Sequence, residues 1–149
     1  MTDIRPILKS FAAAAAIATG ALSMQAPAVA APPAGQATIH YNRCDNNYEG
    51  WGAHLWKDGG IPLPGIEWQK PMVPSGKSEF GVFWNVKVDD FTKGRVNYII
   101  HKGDSKDQGG RDMSFDANAT PEIWVNSGDR KIYNSLDDAR KARAAKPCS

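Results

Sequence analysis

The chain has 149 residues, 18 Lys and Arg against 16 Asp and Glu, a formal net charge of +2 and a hydrophobic fraction of 42%. This length allows one ordinary domain and a short extra segment, which leaves little room for a large enzyme. Basic and acidic residues are interleaved, and this argues against nucleic acid as the partner because phosphate binding needs a concentrated basic surface.

Residues 1–30 have the pattern of a secretory signal peptide. Arg5 and Lys9 form a basic start, an apolar stretch runs from Phe11 to Leu22, and Ala28-Val29-Ala30 resembles a small-residue cleavage site. A membrane anchor is the alternative, but the apolar run is short for about 30 Å of hydrocarbon. Loss of two basic residues and one acidic residue lowers the net charge from +2 to about +1. We expect a secreted or periplasmic protein that has no membrane contact after signal removal.

After a flexible leader at residues 31–36, a domain is expected over residues 37–149. Short apolar alternations separated by turn residues are typical of an all-β domain. The expected strands are ATIHYNR (37–43), GWGAHLW (50–56), GVFWNVKV (81–88), RVNYIIH (95–101), EIWVNSG (122–128) and RKIYNS (130–135). Six or seven short strands favour an immunoglobulin-like β-sandwich.

The second expected strand has two chemically different faces. Side chains alternate along a strand, so Trp51, Ala53 and Leu55 share one face, while His54 and Trp56 share the other. The first set is graded in size and suits a core. The second presents two flat rings, which indicates a binding platform.

The segment from Lys57 to Ser78 contains four prolines, which exclude a central strand over most of its length and favour an ordered crossing loop. Within it, Trp68 is predicted to cap one end of the core. Near the C-terminus, Ser135 followed by Asp138 predicts an N-capped helix over LDDARKARAA. The basic cluster in this helix is expected to be a solvated helix face.

The two cysteines, Cys44 and Cys148, both lie in the exported part of the chain. In an oxidising compartment they are expected to form a disulfide that joins the C-terminal tail to the first strand. A zinc pair or a catalytic thiol is the weaker alternative, since neither cysteine has a second ligand at metal spacing.

The segment from Ile99 to Asp112 leaves a strand and enters a loop rich in charge and glycine. Such a loop can direct lysine and aspartate side chains at the hydroxyl groups of a ligand, or it can be an ordinary solvated turn. A calcium site would use Asp104, Asp107 and Asp112, but the spacing does not fit a calcium loop and the neighbouring cations oppose it. We therefore predict no metal and no cofactor.

Two further chemical possibilities are weaker still. A zinc site formed by His40, His54 and His101 would require three strands to converge. The carboxylate pairs Asp89-Asp90 and Asp137-Asp138 are adjacent in sequence, which does not suit glycoside cleavage, and no nucleophile elbow, HExxH motif or phosphate loop is present. The sequence therefore does not predict an enzyme.

Several separated motifs, in order, resemble the pullulanase-associated domain, also called carbohydrate-binding module family 41. They are IHYNR (39–43), YEGWGAHLW (48–56), FGVFW (80–84), IIHKGDSKD (99–107) and EIWVNSGDRKIYNS (122–135). The resemblance implies an immunoglobulin-like β-sandwich that binds α-glucans such as starch, amylopectin, glycogen and pullulan, normally as a module joined to a starch-debranching enzyme.

The resemblance also implies the site residues. Two rings on one strand stack on successive glucose units, which places the pair on His54 and Trp56, and a lysine and an aspartate from the later loop bind sugar hydroxyls. These are assigned to Lys106 and Asp112. Lys102 and Asp107 are retained as substitutes. The family often carries tryptophan where this chain has His54, so the stacking area is smaller, and Trp51 is assigned to the core.

On this interpretation the protein is a free-standing, exported, monomeric α-glucan-binding protein. Two other classes of function remain open. One is an accessory or interaction subunit of a separate amylolytic enzyme, and the other is an envelope protein that has kept the fold and lost the sugar site.

Overall fold

The computed structural model describes residues 29–148 and contains nine strands, one α-helix and three short 3-10 helices in that range. The strands and the α-helix are β1 (Gln36–Asn42), β2 (Gly52–Lys57), β3 (Ile61–Pro62), β4 (Gly76–Lys77), β5 (Val82–Lys87), β6 (Arg95–Lys102), β7 (Ser105–Lys106), β8 (Met113–Asp116), β9 (Glu122–Asn126) and α1 (Leu136–Ala145). The predicted signal peptide lies almost entirely outside the described residues. Strand β1 begins at Gln36, the last residue of the predicted leader.

The strands form two sheets that pack face to face. One sheet has the order β4-β5-β1-β9, and the other has the order β3-β2-β6, with β7 and β8 both paired to β6. Strands β1 and β9 pair in parallel, whereas the other named pairs are antiparallel. The prediction of an all-β sandwich with a short C-terminal helix is confirmed.

Alternating residues of the five longest strands fill the space between the sheets. Their inward side chains are almost completely buried: Ala37, Ile39, Tyr41, Ala53, Leu55, Val82, Trp84, Val86, Val96, Tyr98, Ile100, Ile123 and Val125. Burial of this apolar area at about 25 cal/mol per Å² is the main force that holds the sheets together. It also fixes strand register, because a shift by one residue would turn every one of these side chains outward.

The predicted strand RKIYNS does not form. Only Tyr133 makes a β-bridge, to Trp124, because Asp129 organises this segment as a turn. Its carboxylate accepts hydrogen bonds from the Lys131 N–H at 3.0 Å and from the Tyr133 hydroxyl at 2.6 Å. Aspartate side chains that bond to the nearby backbone in this way compete with sheet pairing. Strands β7 and β8, which both pair with β6, were not predicted.

Helix α1 closes the end of the domain and is tied down by the predicted disulfide. Ser135 Oγ accepts a hydrogen bond from the Asp138 N–H at 3.1 Å, which confirms the predicted N-cap. Cys44 and Cys148 are bonded, with their Cα atoms 5.4 Å apart and a sequence separation of 104. Within residues 29–148, α1 is the longest helix, and no helix there is long and apolar enough to cross a membrane.

Candidate functional site

The register of β2 against β6 defines the outer face of the five-stranded sheet. Trp56 faces Asn97, His54 faces Ile99 and Gly52 faces His101. Directly opposed residues of an antiparallel pair project to the same side. His54, Trp56 and His101 therefore share the face that points away from the core, as predicted for the first two.

His54 and Trp56 form a pair of neighbouring rings on β2. Their centroids lie 5.8 Å apart and their planes are inclined by 33°. Both side chains are half-buried, so part of each ring is held by the protein and part is exposed to solvent. An aromatic ring in this setting offers a flat apolar surface without the cost of ordering a mobile side chain.

A third ring, that of Trp68, extends this pair. It stacks on His101 with centroids 3.9 Å apart and 6° between the planes, and it meets His54 edge to face at 5.5 Å. Trp68 is absent from the clusters of buried apolar residues, so the prediction that it caps the core is wrong. We call Trp56, His54 and Trp68, taken in this order along the face, the ring row.

The proline-rich segment places Trp68 in this position through a tight turn. Backbone hydrogen bonds of 3.0 and 3.2 Å run in both directions between Glu67 and Lys70, which leaves Trp68 at the turn tip. Met72 then pairs with Ala53 through two backbone bonds of 2.9 and 3.0 Å. This pairing along the edge of β2 carries the turn back over the outer face.

Gly52 is required for this arrangement. A Cβ atom at this position would lie 2.6 Å from Pro71 Cγ and 3.0 Å from the Met72 carbonyl oxygen. Real Cβ atoms do not approach other atoms so closely, so a larger residue would push the segment off the sheet. Gly52, the second glycine of the GWGAHLW motif, therefore allows the segment that carries Trp68 to pack on the sheet.

His101 supports the ring row from below. It is completely buried, and its Nδ1 lies 2.8 Å from the carbonyl oxygen of Gly103. Since a carbonyl can only accept, Nδ1 carries the proton and the neutral ring is the tautomer with a free Nε2 lone pair. The ring is thus fixed in orientation, and it gives Trp68 a rigid base.

The ionisation of His54 is coupled to this packing. Burial lowers the pKa of His54 below its ordinary value, a hydrogen bond with the backbone of Glu67 opposes the shift, and the nearby His101 adds to it. His54 is consequently kept neutral at physiological pH. A neutral imidazole is the form that presents an apolar face to a ligand.

Two charged groups from the loop after β6 lie at the Trp68 end of the row. The Lys106 ammonium nitrogen is 5.1 Å from the Trp68 ring centroid, within the range of a cation–π contact. Asp104 Oδ1 accepts a hydrogen bond from the indole Nε1–H of Trp68 at 3.3 Å. The structure thus brings predicted Lys106 to the row, together with Asp104, which sequence reasoning considered only as a calcium ligand.

The other two candidates from this loop that are exposed have different positions. Asp112 comes directly before β8, and by alternation with Ser114 it belongs to the outer face. Lys102 follows His101 and so alternates to the other side, where its side chain lies along Gly50. Asp112 therefore stays a candidate for the site, and Lys102 is a less suitable one.

Asp107 is a buried residue of the loop whose carboxylate accepts several hydrogen bonds. It is 9% exposed, and its carboxylate accepts hydrogen bonds from the Tyr41 hydroxyl, the Gln108 N–H at 2.6 Å and the Gly128 N–H at 2.8 Å. Burial, together with the neighbouring Asp107, raises the pKa of Tyr41. Because its acceptor oxygens are used inside the protein, Asp107 suits a role in fixing the loop that carries Lys106.

Trp51 packs inward at the start of β2. It belongs to the partly buried residues that contact the main core cluster, and its ring lies 5.9 Å from that of Tyr41. The guanidinium carbon of Arg43 covers the indole at 4.1 Å. Trp51 is therefore separated from the ring row, on the side of β2 where the sequence pattern placed it.

The third histidine, His40, has a different environment. It lies on β1 in the other sheet, is almost fully buried, stacks on Trp124 at 5.0 Å and bonds through Nε2 to Glu122 at 2.7 Å. Among residues 29–148 no group of three or more His, Cys, Asp or Glu side chains has the arrangement needed to hold a metal ion.

Comparison with known proteins places this architecture in context. Residues 35–134 match the family model of the bacterial pullulanase-associated domain. An α-amylase from Streptomyces lividans is 39% identical over 72 residues, which are 48% of this chain and 7% of the amylase. The shared part is thus a small portion of a much longer protein.

Solved structures show the same fold at low identity. Ligand-free PulA from Klebsiella pneumoniae gives a TM-score of 0.65 at 21% identity, covering 78% of this chain and 12% of PulA. A structure describing α-glucan recognition by family 41 carbohydrate-binding modules from streptococcal virulence factors gives a TM-score of 0.58 at 20% identity, covering 72% of this chain and 50% of that one. The sandwich is therefore shared with these modules.

Proposed function

This chain belongs to the bacterial pullulanase-associated domain family, and from that premise we propose that it binds α-glucans through the ring row. The observation that carries the proposal is the succession of three neighbouring rings over one sheet face, with successive centroids 5.8 and 5.5 Å apart. Relatives support it, since family 41 modules from streptococcal virulence factors recognise α-glucan.

The chemistry of the row fits the chemistry of a glucose polymer. A pyranose ring has an apolar face of C–H groups that can lie flat on an indole, where burial is worth about 25 cal/mol per Å². Trp56 and Trp68 supply most of this area, and His54 supplies a smaller surface between them. The three rings together match a chain of stacked sugar units better than a single monosaccharide.

Hydrogen bonds to the sugar edge are assigned to the charged loop. Lys106 and Asp104 already lie against Trp68, and Asp112 extends the outer face from the start of β8. An ammonium donor and a carboxylate acceptor make charge-assisted bonds to hydroxyl groups. Because free hydroxyls are well hydrated, we expect a modest Kd between about 10 μM and 1 mM.

We place this activity outside the cytoplasm. The bond between Cys44 and Cys148 suits an oxidising compartment. The signal-like segment at residues 1–30 supports the same location. Starch, glycogen and pullulan are polymers that an exported binding protein would meet there.

Migration of the purified protein in a native gel cast with glycogen or amylose tests the proposal. Retardation by the polymer, abolished by Trp56→Ala and Trp68→Ala, is the expected result. Equal migration of wild type with and without polymer would contradict α-glucan binding. That result would favour an accessory subunit of a separate amylolytic enzyme or an envelope protein without a sugar site.

A further inference from the structure

Beyond Trp56, the outer face continues into a group of polar side chains. Asn97 faces Trp56 across β2 and β6, and Ser114 faces Asn97 across β6 and β8. Arg95 lies two residues before Asn97 on β6 and so shares its face. Together with Asp58, which follows the end of β2, these residues form what we call the polar patch.

Hydrogen bonds fix the polar patch relative to Trp56. Asn97 is 8% exposed, and its Nδ2 donates to the Trp56 carbonyl oxygen at 3.1 Å and to Asp58 Oδ1 at 3.4 Å. Arg95 donates from Nε to Asn97 Oδ1 at 3.4 Å and from Nη2 to Ser114 Oγ at 3.2 Å. The nearly buried amide of Asn97 therefore holds a cation and an anion at a set position beside the last ring.

The charged groups of the patch are open to a ligand. The side chains of Arg95 and Asp58 are 60% and 50% exposed, and Arg95 Nε lies 3.9 Å from Asp58 Oδ1. A guanidinium group carries five N–H donors, and the contacts to Asn97 and Ser114 use two of them. A fixed donor next to a fixed acceptor suits sugar hydroxyls, because each hydroxyl both donates and accepts.

The polar patch lies at one end of the ring row. The ring row runs from Trp68 through His54 to Trp56, with Lys106 at the Trp68 end and the patch at the Trp56 end. A linear chain that stacks along the row would continue onto Asp58 and Arg95. We propose that these two residues form an additional subsite, which binds the hydroxyl groups of the glucose unit beyond the one on Trp56. This inference rests on the proposed function.

Isothermal titration with linear maltooligosaccharides of increasing length tests the subsite. Wild-type affinity is expected to rise from maltotriose to maltohexaose. Arg95→Ala and Asp58→Asn should each weaken maltohexaose binding by about threefold to tenfold, the range for one ordinary hydrogen bond that is lost in competition with water. Both variants should leave maltotriose affinity within about twofold of wild type, because the ring row is intact.

Arg140→Ala provides a matched control. Arg140 is a half-exposed arginine on α1 that pairs with Glu79 at 2.8 Å, away from the ring row, and its loss should leave both affinities unchanged. Variants that bind every length as wild type does would overturn the subsite, as would an equal loss for maltotriose and maltohexaose, which would mean that Arg95 only positions Trp56. Failure of wild type to bind any maltooligosaccharide would instead refute the proposed function.

Discussion

The indole of Trp68 lies parallel to the imidazole of His101, with 3.9 Å between ring centroids and 6° between ring planes. His101 is completely buried and Trp68 is half-buried. One face of the indole is therefore covered by a rigid partner, and the Lys106 ammonium nitrogen lies 5.1 Å from the centroid of the same ring. Such a ring is already ordered before a ligand arrives, which lowers the entropic cost of binding.

Replacement of this ring tests whether it contributes to binding or to stability. Trp68→Ala is expected to weaken glycogen and maltooligosaccharide binding by at least about tenfold, because a large stacking area is lost. The melting temperature should change little, since Trp68 lies outside the core clusters. Affinity electrophoresis and thermal melting measure the two effects, and a large loss of stability with normal binding would return Trp68 to a structural role.

Trp56 and Trp51 provide a second test with opposite expectations. They are five positions apart, Trp51 directly before β2 and Trp56 near its end, and they project to opposite sides of it. Trp56 belongs to the ring row, whereas Trp51 packs against the core with Arg43 over its ring. Trp56→Ala should abolish most binding and keep the fold. Trp51→Ala should lower the free energy of unfolding by about 2 kcal/mol, less than a fully buried tryptophan would.

Urea unfolding and glucan titration of both variants measure the contrast. If Trp56→Ala were the more destabilised of the two, the assignment of faces along β2 would be wrong. Loss of binding in Trp51→Ala without loss of stability would lead to the same conclusion.

Alternation was sufficient to predict the sandwich and the inward face of each long strand. In β1, β2, β5, β6 and β9 the residues of the main core cluster recur at every second position, although the residues between them are also buried in β1, β6 and β9. The helix start followed from the cap at Ser135. Strand β8 was missed because four residues with only Met113 and Phe115 apolar give too short a signal. The turn at Asp129 was also missed, because it is formed by side-chain hydrogen bonds, which a hydrophobic pattern does not record.

Alternation also predicted that His54 and Trp56 share the outer face, but it did not predict that Trp68 and His101 lie beside them. Whether His101 lies beneath the row depends on the β2–β6 register, which pairs it with Gly52. The position of Trp68 depends on the path of the proline-rich segment, which the pairing of Met72 with Ala53 determines. Both are long-range relationships, and local patterns do not contain them.

Asp107 and Asp112 can be separated by two substitutions. Asp107→Ala would leave the Tyr41 hydroxyl and the Gly128 N–H without their acceptor. Because buried groups without partners are costly, we expect a loss of about 2 to 4 kcal/mol in the free energy of unfolding. Asp112→Ala changes an exposed residue and should alter this free energy by less than about 0.5 kcal/mol.

In binding measurements, by contrast, the larger direct effect is expected from Asp112. At a temperature where both variants are folded, Asp112→Ala is expected to weaken maltooligosaccharide binding severalfold if its carboxylate binds a sugar hydroxyl. Normal binding by Asp112→Ala would remove it from the site. Normal stability of Asp107→Ala would show that its buried hydrogen bonds do not hold the loop.

Glucan binding should weaken as the solution becomes acidic. Burial keeps the pKa of His54 below its ordinary value, and a sugar stacked on the ring would bury it further, so the ligand favours the neutral form. Affinity is then fully present above this folded-state pKa and falls as the pH decreases through it. The nearby His101 adds to the cost of a charge on His54.

His54→Phe is the matched control, because it keeps a flat ring and removes the titrating group. Titrations of both proteins with one maltooligosaccharide between about pH 5 and pH 7.5 should show a decline for wild type and a flatter profile for the variant. Thermal melting at each pH confirms that the proteins remain folded. Identical profiles for the two proteins would exclude His54 as the group responsible.

Opening the disulfide should destabilise the domain and spare its ligand site. The bond between Cys44 and Cys148 spans 104 positions, for which the chain-entropy model gives roughly 4 to 5 kcal/mol of stabilisation. Arg143 gives α1 a second attachment, since its Nη2 donates to the Ser127 carbonyl oxygen at 3.1 Å. The helix should therefore stay docked at low temperature, and the ring row on the other sheet should keep its geometry.

A double variant, Cys44→Ser with Cys148→Ser, isolates the effect of the bond. Its melting temperature is expected to lie well below that of the oxidised wild type and to be insensitive to reducing agent, whereas reduction should bring the wild type down to the same value. Glycogen binding by the folded double variant should match wild type. Free thiols in the native protein, or a wild type whose melting temperature does not respond to reduction, would refute a stabilising bridge. Loss of glycogen binding in the folded double variant would instead show that the bridged end of the domain helps to shape the ring row.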